Sequence, residues 1–301
     1  MSLRYANSVP VLNLALGSCG SDLPRRDIHA QLSLGSRGGM KCPVMGRCAP
    51  WMAHESLQGC IHGGPNTGNP TPSKPVKKEL RMTYQHQWQD GTPVSWLAGK
   101  VVCVGRNYAA HAKELGNAVP EAPILFLKPA TSLVPLGPDF AIPSGRGSCH
   151  HETEISLLIG RTLTGQVSEA EARAAIAGIT LGLDLTLRDV QNQLKQQGHP
   201  WEVAKAFDGA APMGTFAPLS ATTSLSDLSF TLTVNGDLRQ QGHSADMIIG
   251  IVDLLQFIAT IFTLQPGDVV MTGTPEGVAA LNAGDALVLT LGEQSWATRV
   301  R

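Results

Sequence analysis

The chain is organised around residues 150–160, which read His150-His151-Glu152-Thr153-Glu154-Ile155-Ser156-Leu157-Leu158-Ile159-Gly160. The part from Thr153 to Ile159 is apolar and rich in β-branched residues, which predicts a strand that ends at Gly160. Because side chains alternate along a strand, Glu152 and Glu154 point to the same face. Neighbouring carboxylates repel each other, so a buried face that holds both needs a cation, and a divalent metal is the simplest one. The alternative is that both glutamates line a solvated outer face.

Composition limits the class of protein. The chain has 301 residues, a formal net charge of −1 and 43% hydrophobic residues, which is typical of a soluble enzyme. No apolar run approaches the roughly 18 residues of a membrane span, and a near-neutral charge does not suit nucleic-acid binding. We therefore expect neither a membrane nor a nucleic acid as partner. Cys103 and Cys149 are predicted to be lone, reduced thiols, which favours a cytoplasmic location.

The first 81 residues differ from the rest of the chain. They contain ten Lys/Arg and four Asp/Glu, a charge of +6, whereas the remainder carries −7. They also contain eight prolines and ten glycines, with no sustained helical or strand period. This composition predicts a mostly disordered N-terminal extension over residues 1–81 and a folded catalytic domain over residues 82–301.

The predicted domain contains many short strands and few helices. Apolar runs predict strands at 100–105, 124–129, 153–159, 179–186, 229–234, 237–241, 267–271, 286–291 and 296–300. Helices are predicted at 106–115, 168–177, 188–197 and 246–262, with Ser168 as an N-cap. Asn235-Gly236 predicts a type I′ hairpin turn. Because the helices do not alternate regularly with the strands, we predict an α+β, mainly β fold and not a Rossmann sheet.

A third carboxylate, Asp184, lies near the end of the predicted strand 179–186. Together with Glu152 and Glu154 it makes an all-oxygen ligand set, which favours Mg²⁺, Mn²⁺ or Ca²⁺ over zinc. Three protein ligands leave coordination positions open for water and a chelating substrate. The alternative for Asp184 is a turn residue that precedes the next helix.

Other candidate residues carry base or cation chemistry. His111 and Glu114 are three residues apart on one predicted helix, so the carboxylate can orient the imidazole as a general base. The alternative is a solvated pair on an exposed helix face. Lys205 lies in an apolar context and is either a surface lysine or a cation that faces the site. Thr274 lies on a glycine-rich turn whose hydroxyl and backbone amides can bind a carboxylate, although an ordinary tight turn has the same composition.

Several motifs occur together over residues 82–301. In order, they are Val104-Gly105-Arg106-Asn107-Tyr108-x-x-His111-x-x-Glu114, Phe126-Leu127-Lys128-Pro129, His150-His151-Glu152-x-Glu154, Leu183-Asp184-x-Thr186-x-Arg188-Asp189, Pro200-Trp201-x-x-Ala204-Lys205-x-Phe207-Asp208, Val234-Asn235-Gly236 and Thr272-Gly273-Thr274-Pro275-x-Gly277-Val278. This pattern resembles the fumarylacetoacetate hydrolase family, in its short single-domain branch with acylpyruvate and fumarylpyruvate hydrolases.

The resemblance implies a mixed β-sandwich or β-roll with a few peripheral helices, usually as a homodimer. It implies Mg²⁺ or Mn²⁺, with Ca²⁺ as an in vitro substitute, on Glu152, Glu154 and Asp184. It also implies a lid helix that carries His111 and Glu114, with Lys205 as a further catalytic residue. The expected substrate contacts are Arg106, Tyr108, Lys128, Arg188, Gln191 and Thr274.

The implied activity is metal-dependent hydrolysis of a C–C bond in an acylpyruvate-type β-diketo acid, which gives pyruvate and a carboxylic acid. In that reaction His111 activates water, and the departing carbanion is tolerable because it is the enolate of pyruvate. The same chemistry without water would isomerise 2-hydroxymuconate-like dioates, or tautomerise or decarboxylate oxaloacetate. A metal-stabilised binding dimer without activity is a further alternative.

Overall fold

The computed structural model describes residues 84–116, 118 and 120–301. The predicted disordered extension, residues 1–81, lies outside the described residues. Within the described part, no helix has the length and apolar character needed to cross a membrane. Cys103 and Cys149 are both buried and free of disulfide bonds.

Short strands dominate the described chain. They are β1 (Val101–Gly105), β2 (Ile124–Lys128), β3 (Leu133–Pro135), β4 (Cys149–His151), β5 (Thr153–Ile159), β6 (Ile176–Leu183), β7 (Thr186–Leu187), β8 (Ala211–Met213), β9 (Ala217–Pro218), β10 (Ser229–Val234), β11 (Asp237–His243), β12 (Val269–Met271), β13 (Ala279–Ala280), β14 (Ala286–Leu291) and β15 (Gln294–Arg299). The α-helices are α1 (Ala109–Glu114), α2 (Glu169–Ala175), α3 (Arg188–Gln197), α4 (Glu202–Lys205) and α5 (Ile251–Ile261).

The strands form three sheets. The largest has the order β2-β1-β12-β5-β6-β8-β3, with β9 also paired to β6. It is mixed, because β1 pairs with β12 and β3 pairs with β8 in parallel, whereas β5 and β6 are antiparallel. A second sheet has the order β11-β10-β14-β15, and a third has the order β13-β4-β7. The predicted mixed, mainly β fold with few helices is therefore confirmed.

Strand β5 lies in the interior of the large sheet, and all seven of its residues are buried. Such a strand has apolar residues on both faces, which explains why Ile155, Leu157, Leu158 and Ile159 are apolar although side chains alternate between the faces. Its bounds are those predicted from the sequence.

The pairing of β5 with β6 brings the predicted metal ligands together. Thr153 lies opposite Leu183 in the antiparallel register. The backbone N–H of Asp184 donates to the carbonyl of Glu152 at 2.8 Å, which extends the ladder by one residue. Because residues opposite each other share a face, Asp184 lies beside Glu152, and Glu154 lies on the same face two residues along.

Several local predictions are confirmed. The hairpin between β10 and β11 turns at Asn235 and Gly236, both with positive φ (55° and 88°), as a type I′ turn requires. Ser168 caps α2 through a capping box with Glu171. Helix α3 has the predicted bounds and ends at Gly198, which adopts the left-handed conformation.

Two helices begin later than predicted, and the neighbouring residues Arg106 and Asn107 account for the difference. Arg106 adopts a φ of 63°, which is not a right-handed helical conformation, so α1 begins only at Ala109. The neighbouring Asn107 side chain accepts the N–H of Ile249 at 2.9 Å and donates to its carbonyl at 3.0 Å. These bonds hold the backbone before α5 away from helical pairing, so α5 begins at Ile251 and not at residue 246.

Candidate metal and substrate site

The three predicted ligands form one buried cluster. Carboxylate oxygens of Glu152, Glu154 and Asp184 all lie within 4.8 Å of one another. The residues are 5%, 1% and 1% exposed, respectively. The alternative in which the two glutamates line a solvated face is therefore excluded by their burial.

Three cationic side chains contact this cluster. The ammonium of Lys205 lies 2.7 Å from Glu152 Oε2 and 2.6 Å from Asp184 Oδ2. The ammonium of Lys128 lies 2.7 Å from Asp184 Oδ1 and donates to the backbone carbonyls of Lys205 and Ala210. Arg188 pairs with Glu152 Oε1. Lys205 is thus a buried cation of the site and not a surface lysine.

The electrostatics of the cluster are uneven. Burial alone would raise the pKa of Glu152, but the charges of Lys205 and Arg188 hold it well below its ordinary value. Burial, followed by the charges of Asp184 and Glu152, raises the pKa of Glu154 well above its ordinary value. Burial opposes the charge on Lys205, yet the nearby carboxylates outweigh it and raise the lysine pKa. Glu154 is therefore the carboxylate that most lacks a neighbouring cation.

The donor set fits a divalent metal ion. Glu154 accepts one hydrogen bond, from the N–H of Gly273 at 2.7 Å. Ionised carboxylates have about four acceptor positions each, so Glu152 and Asp184 retain capacity beyond their lysine contacts. Oxygen donors without thiolates or imidazoles suit Mg²⁺ or Mn²⁺. A buried acidic cluster of this kind can hold such an ion.

The cluster forms part of a pocket that is open to solvent. Nine of the predicted site residues line it: Arg106, His111, Glu152, Glu154, Asp184, Arg188, Gln191, Lys205 and Thr274. Lys128 lies behind Asp184 and is fully buried, so it contacts the cluster without lining the pocket. Tyr108 is also buried outside the lining, and its hydroxyl has no hydrogen-bond partner in the described part of the chain. Glu114 lines a neighbouring cleft.

His111 and Glu114 interact as predicted from their spacing. Nδ1 of His111 lies 3.3 Å from Oε2 of Glu114, and His111 is only 5% exposed. The other Glu114 oxygen accepts the N–H of Gly277 at 3.0 Å, which joins α1 to the turn after β12. A Cβ at Gly277 would lie 1.9 Å from the carbonyl oxygen of Arg239, so this turn requires glycine. Because Nδ1 pairs with Glu114, Nε2 is the nitrogen of His111 that can accept or donate a proton in the pocket.

Gln240 on β11 orients Thr274. The side-chain oxygen of Gln240 accepts the backbone N–H of Thr153 (3.0 Å), and its nitrogen donates to the carbonyl of Pro275 (3.0 Å). Because these backbone groups have fixed roles, the orientation of the amide is determined. The nitrogen therefore also donates to Thr274 Oγ1 at 2.8 Å. The hydroxyl proton of Thr274 is left for an acceptor in the pocket.

The backbone amides of the Thr274 turn have other partners. The N–H of Gly273 donates to Glu154, and that of Gly277 donates to Glu114. The glycine-rich sequence of this turn predicts that its amides bind a substrate carboxylate. For these two amides that prediction is wrong, because carboxylates of the protein already accept them.

Sequence reasoning missed five side chains that line the pocket: Val104, Leu115, Phe126, Lys195 and Trp201. Lys195 lies seven residues after Arg188 and four after Gln191, so all three share one face of α3. This spacing is a signal from which Lys195 could have been predicted. Gln240 lacked such a signal, since it reaches the site from the second sheet.

One protein family matches most of the described chain. The family described as Fumarylacetoacetate (FAA) hydrolase C-terminal matches residues 100–300. The chain therefore belongs to the fumarylacetoacetate hydrolase family, and it is an enzyme of the short single-domain branch. Known members of this family include tautomerases, isomerases and hydrolases.

Three relatives are informative. The chain is 51% identical over 220 residues to oxaloacetate tautomerase YcgM of Escherichia coli (strain K12), covering 73% of this chain and 100% of the relative. It is 41% identical over 193 residues to mitochondrial oxaloacetate tautomerase FAHD1 of Bos taurus, covering 64% and 87%. It resembles the crystal structure of fumarylpyruvate hydrolase from Pseudomonas aeruginosa in complex with Mn²⁺ and pyruvate, with 34% identity, a TM-score of 0.67 and coverage of 72% and 95%.

Proposed function

We propose that this protein is a divalent-metal-dependent tautomerase that interconverts the keto and enol forms of oxaloacetate. The observation that carries the proposal is the buried cluster of Glu152, Glu154 and Asp184 beside the imidazole of His111. Such a site can stabilise an enolate and move one proton. The choice of oxaloacetate is supported by the similarity to YcgM along its full length.

The reaction needs only a proton transfer. In the direction from keto to enol, the C3–H bond breaks, a C2=C3 double bond forms, and the C2 oxygen gains a proton. Mg²⁺ or Mn²⁺ held by the three carboxylates would supply Lewis-acid stabilisation of the negative charge on the substrate oxygens.

The residues of the chain have separate roles in this reaction. His111, oriented by Glu114, accepts the C3 proton at Nε2. The ammonium of Lys205 offsets negative charge near the C2 oxygen. Arg188, Gln191 and Thr274 hold the substrate oxygens in the pocket.

Hydrolysis of acylpyruvates is the second candidate function. It was the first expectation from sequence, and the His111–Glu114 pair favours it because a steered base can activate water. Water would attack the distal acyl carbonyl, the C–C bond would break, and the leaving enolate of pyruvate would take up a proton. The similarity to a fumarylpyruvate hydrolase at 34% identity supports this candidate, but the two relatives at 51% and 41% identity are oxaloacetate tautomerases.

Three further features belong to the proposal. The metal is Mg²⁺ or Mn²⁺, the assembly is a homodimer, and the location is the cytoplasm. The free thiols of Cys103 and Cys149 are compatible with a reducing compartment.

One assay separates the two candidate functions. Oxaloacetate in its enol form is mixed with the protein and Mg²⁺ or Mn²⁺, and the decay of enol absorbance is compared with the uncatalysed decay. A panel of acylpyruvates is tested in parallel for release of pyruvate. The proposal expects faster loss of enol with no loss of total oxaloacetate. Rapid cleavage of an acylpyruvate without any effect on the oxaloacetate enol would favour the hydrolase instead.

A further inference from the structure

The pocket has two cationic side chains beyond those that form ion pairs with its carboxylate cluster. Lys205 and Lys128 contact the carboxylates, and Arg188 pairs with Glu152. Arg106 and Lys195 also line the pocket, and no carboxylate among the described residues forms an ion pair with either. Such cations attract an anion from solution.

Lys195 is held in place by an aromatic ring. Its ammonium lies 5.2 Å from the ring centroid of Trp201, and the side chain is partly buried. Burial and then the charges of Arg188 and Arg106 lower its pKa to about 8. The field around this ammonium is therefore positive, which an anion between these groups would relieve.

Arg106 is fixed by its backbone. It adopts a φ of 63°, a conformation that side-chain-bearing residues rarely occupy. The next residue, Asn107, maintains it through hydrogen bonds from its side chain to the carbonyls of Ile249 (3.0 Å) and Thr272 (2.9 Å). The Nε of Arg106 is buried and has no hydrogen-bond partner within the described chain. A ligand oxygen in the pocket would satisfy it.

An aromatic pair connects this region to the carboxylate cluster. Lys205 lies 5.2 Å from the ring centroid of Phe126, and the rings of Phe126 and Trp201 are 6.0 Å apart. Lys195 contacts the Trp201 ring. Lys205, at one end of the pair, contacts the carboxylates, whereas Lys195, at the other end, has no carboxylate partner among residues 84–116, 118 and 120–301.

We infer that Lys195 and Arg106 form a subsite for the second carboxylate of a dicarboxylate 2-keto acid. The 2-keto acid end of the substrate lies at the cluster of Glu152, Glu154 and Asp184. This inference rests on the proposed function in placing the keto acid there. The subsite selects dicarboxylates over 2-keto acids that have a neutral distal group.

The kinetic test compares oxaloacetate with its 4-methyl ester, which lacks the second charge. Lys195→Met removes the ammonium and preserves side-chain length, and Lys195→Arg retains the charge. We expect Lys195→Met to lower the ratio of kcat/KM for oxaloacetate to kcat/KM for the ester by about 10-fold, the order of one charge-assisted hydrogen bond. The loss should lie in KM, and Lys195→Arg should restore most of the ratio.

Arg161→Gln, which removes an exposed positive charge outside the lining, is the matched control. An unchanged ratio in Lys195→Met would overturn the inference.

A binding test does not depend on turnover. Malate has two carboxylates and cannot enolise, so its binding to the Mn²⁺-saturated protein is measured by calorimetry beside that of its 4-methyl ester. The wild-type protein should prefer malate, and Lys195→Met should lose most of this preference. If the protein does not tautomerise oxaloacetate, the proposed function fails while this result still supports the subsite. An equal preference for malate in wild type and Lys195→Met contradicts the subsite.

Discussion

At the scale of single residues, hydrogen bonds of fixed direction determine what the pocket offers to a substrate. Gln240 makes four contacts, with the backbone of Thr153 and Pro275 and with the side chains of Thr274 and His151. Its oxygen accepts and its nitrogen donates, so Thr274 can donate only toward the pocket. A residue outside the predicted site thus sets the polarity of a residue within it.

The first prediction tests this role of Gln240. Gln240→Glu replaces the donor to Thr274 with an acceptor, so the Thr274 hydroxyl should turn away from the substrate. We expect KM for oxaloacetate to rise about 10-fold, the order of one hydrogen bond to a charged group, with a smaller change in kcat. Thr274→Val should give a similar rise. Because both changes act on the same bond, the double variant should be no worse than Thr274→Val alone. Additive losses would show that Gln240 acts by another route.

Part of the site follows from local sequence, and part does not. The positions of Glu152 and Glu154 follow from the two-residue period of a strand, and the pairing of His111 with Glu114 follows from helical spacing. Gln240 comes from a different sheet, so no local period relates it to the site. The ion pair of Lys128 with Asp184 could not be predicted from local sequence either, because the burial of Lys128 beneath Asp184 depends on tertiary packing.

At the scale of elements, α1 brings the base to the carboxylates. The helix is short, from Ala109 to Glu114, and its last residue joins it to the turn after β12 through Gly277. So short a helix is not stable by itself, and its position depends on such tertiary contacts. The contact of Glu114 with both His111 and Gly277 therefore couples the orientation of the base to the position of the helix.

The second prediction concerns the two residues of this helix. His111→Ala should lower the rate of enol–keto conversion by about 100-fold or more, the usual order for losing a general base. Mn²⁺ affinity should change little, because His111 is not a ligand in this account. Glu114→Gln should cost less, since it orients the base without being the base. The measurements are kcat with saturating metal and metal affinity by calorimetry. Full activity of His111→Ala would remove this helix from the mechanism.

Helix boundaries show where sequence reasoning falls short. Residues 106–108 and 246–250 have compositions that permit a helix, and both were predicted helical. The side chain of Asn107 instead binds the backbone of Ile249 and Thr272. An asparagine that forms such long-range bonds cannot be recognised from its neighbours in sequence. Helix α3 had no such competitor, and its bounds were predicted correctly.

At the scale of the whole molecule, every ligand and cation of the proposed mechanism lies between residues 106 and 274, within the described part of the chain. The family match covers residues 100–300 and includes none of residues 1–81. The third prediction is that a chain that begins at Met82 folds, forms a homodimer, and tautomerises oxaloacetate with unchanged kcat and KM. Light scattering gives the mass, and the enol assay gives the kinetics. Aggregation or loss of activity on removal of residues 1–81 would contradict the division of the chain at this point.

The fourth prediction concerns pH and stability. His86 is fully buried, and burial lowers its pKa below the ordinary value of 6.5, although a bond to the Gly267 carbonyl partly opposes this. The unfolded chain takes up a proton near pH 6.5, whereas the folded chain does so only at lower pH. Stability is therefore fully present above pH 6.5 and falls as the pH decreases below it.

His86→Gln provides the control for this effect, because glutamine keeps a donor for Gly267 and does not titrate. Denaturant unfolding of both proteins at pH 7.5 and pH 5.5 gives their free energies of unfolding. Wild type should lose more stability than His86→Gln over this interval. Equal losses would mean that the pKa of His86 is not lowered by folding.

The central claim is that the buried carboxylates hold a metal ion on which tautomerisation depends. The most direct test measures enol–keto conversion of oxaloacetate by chelator-treated protein before and after Mg²⁺ or Mn²⁺ is restored, with Asp184→Asn as the comparison. Treated wild type should fall to the uncatalysed rate and recover with metal. Asp184→Asn should stay inactive at metal concentrations that saturate wild type, with its circular dichroism spectrum unchanged. Full tautomerase activity in the metal-free protein would contradict the account.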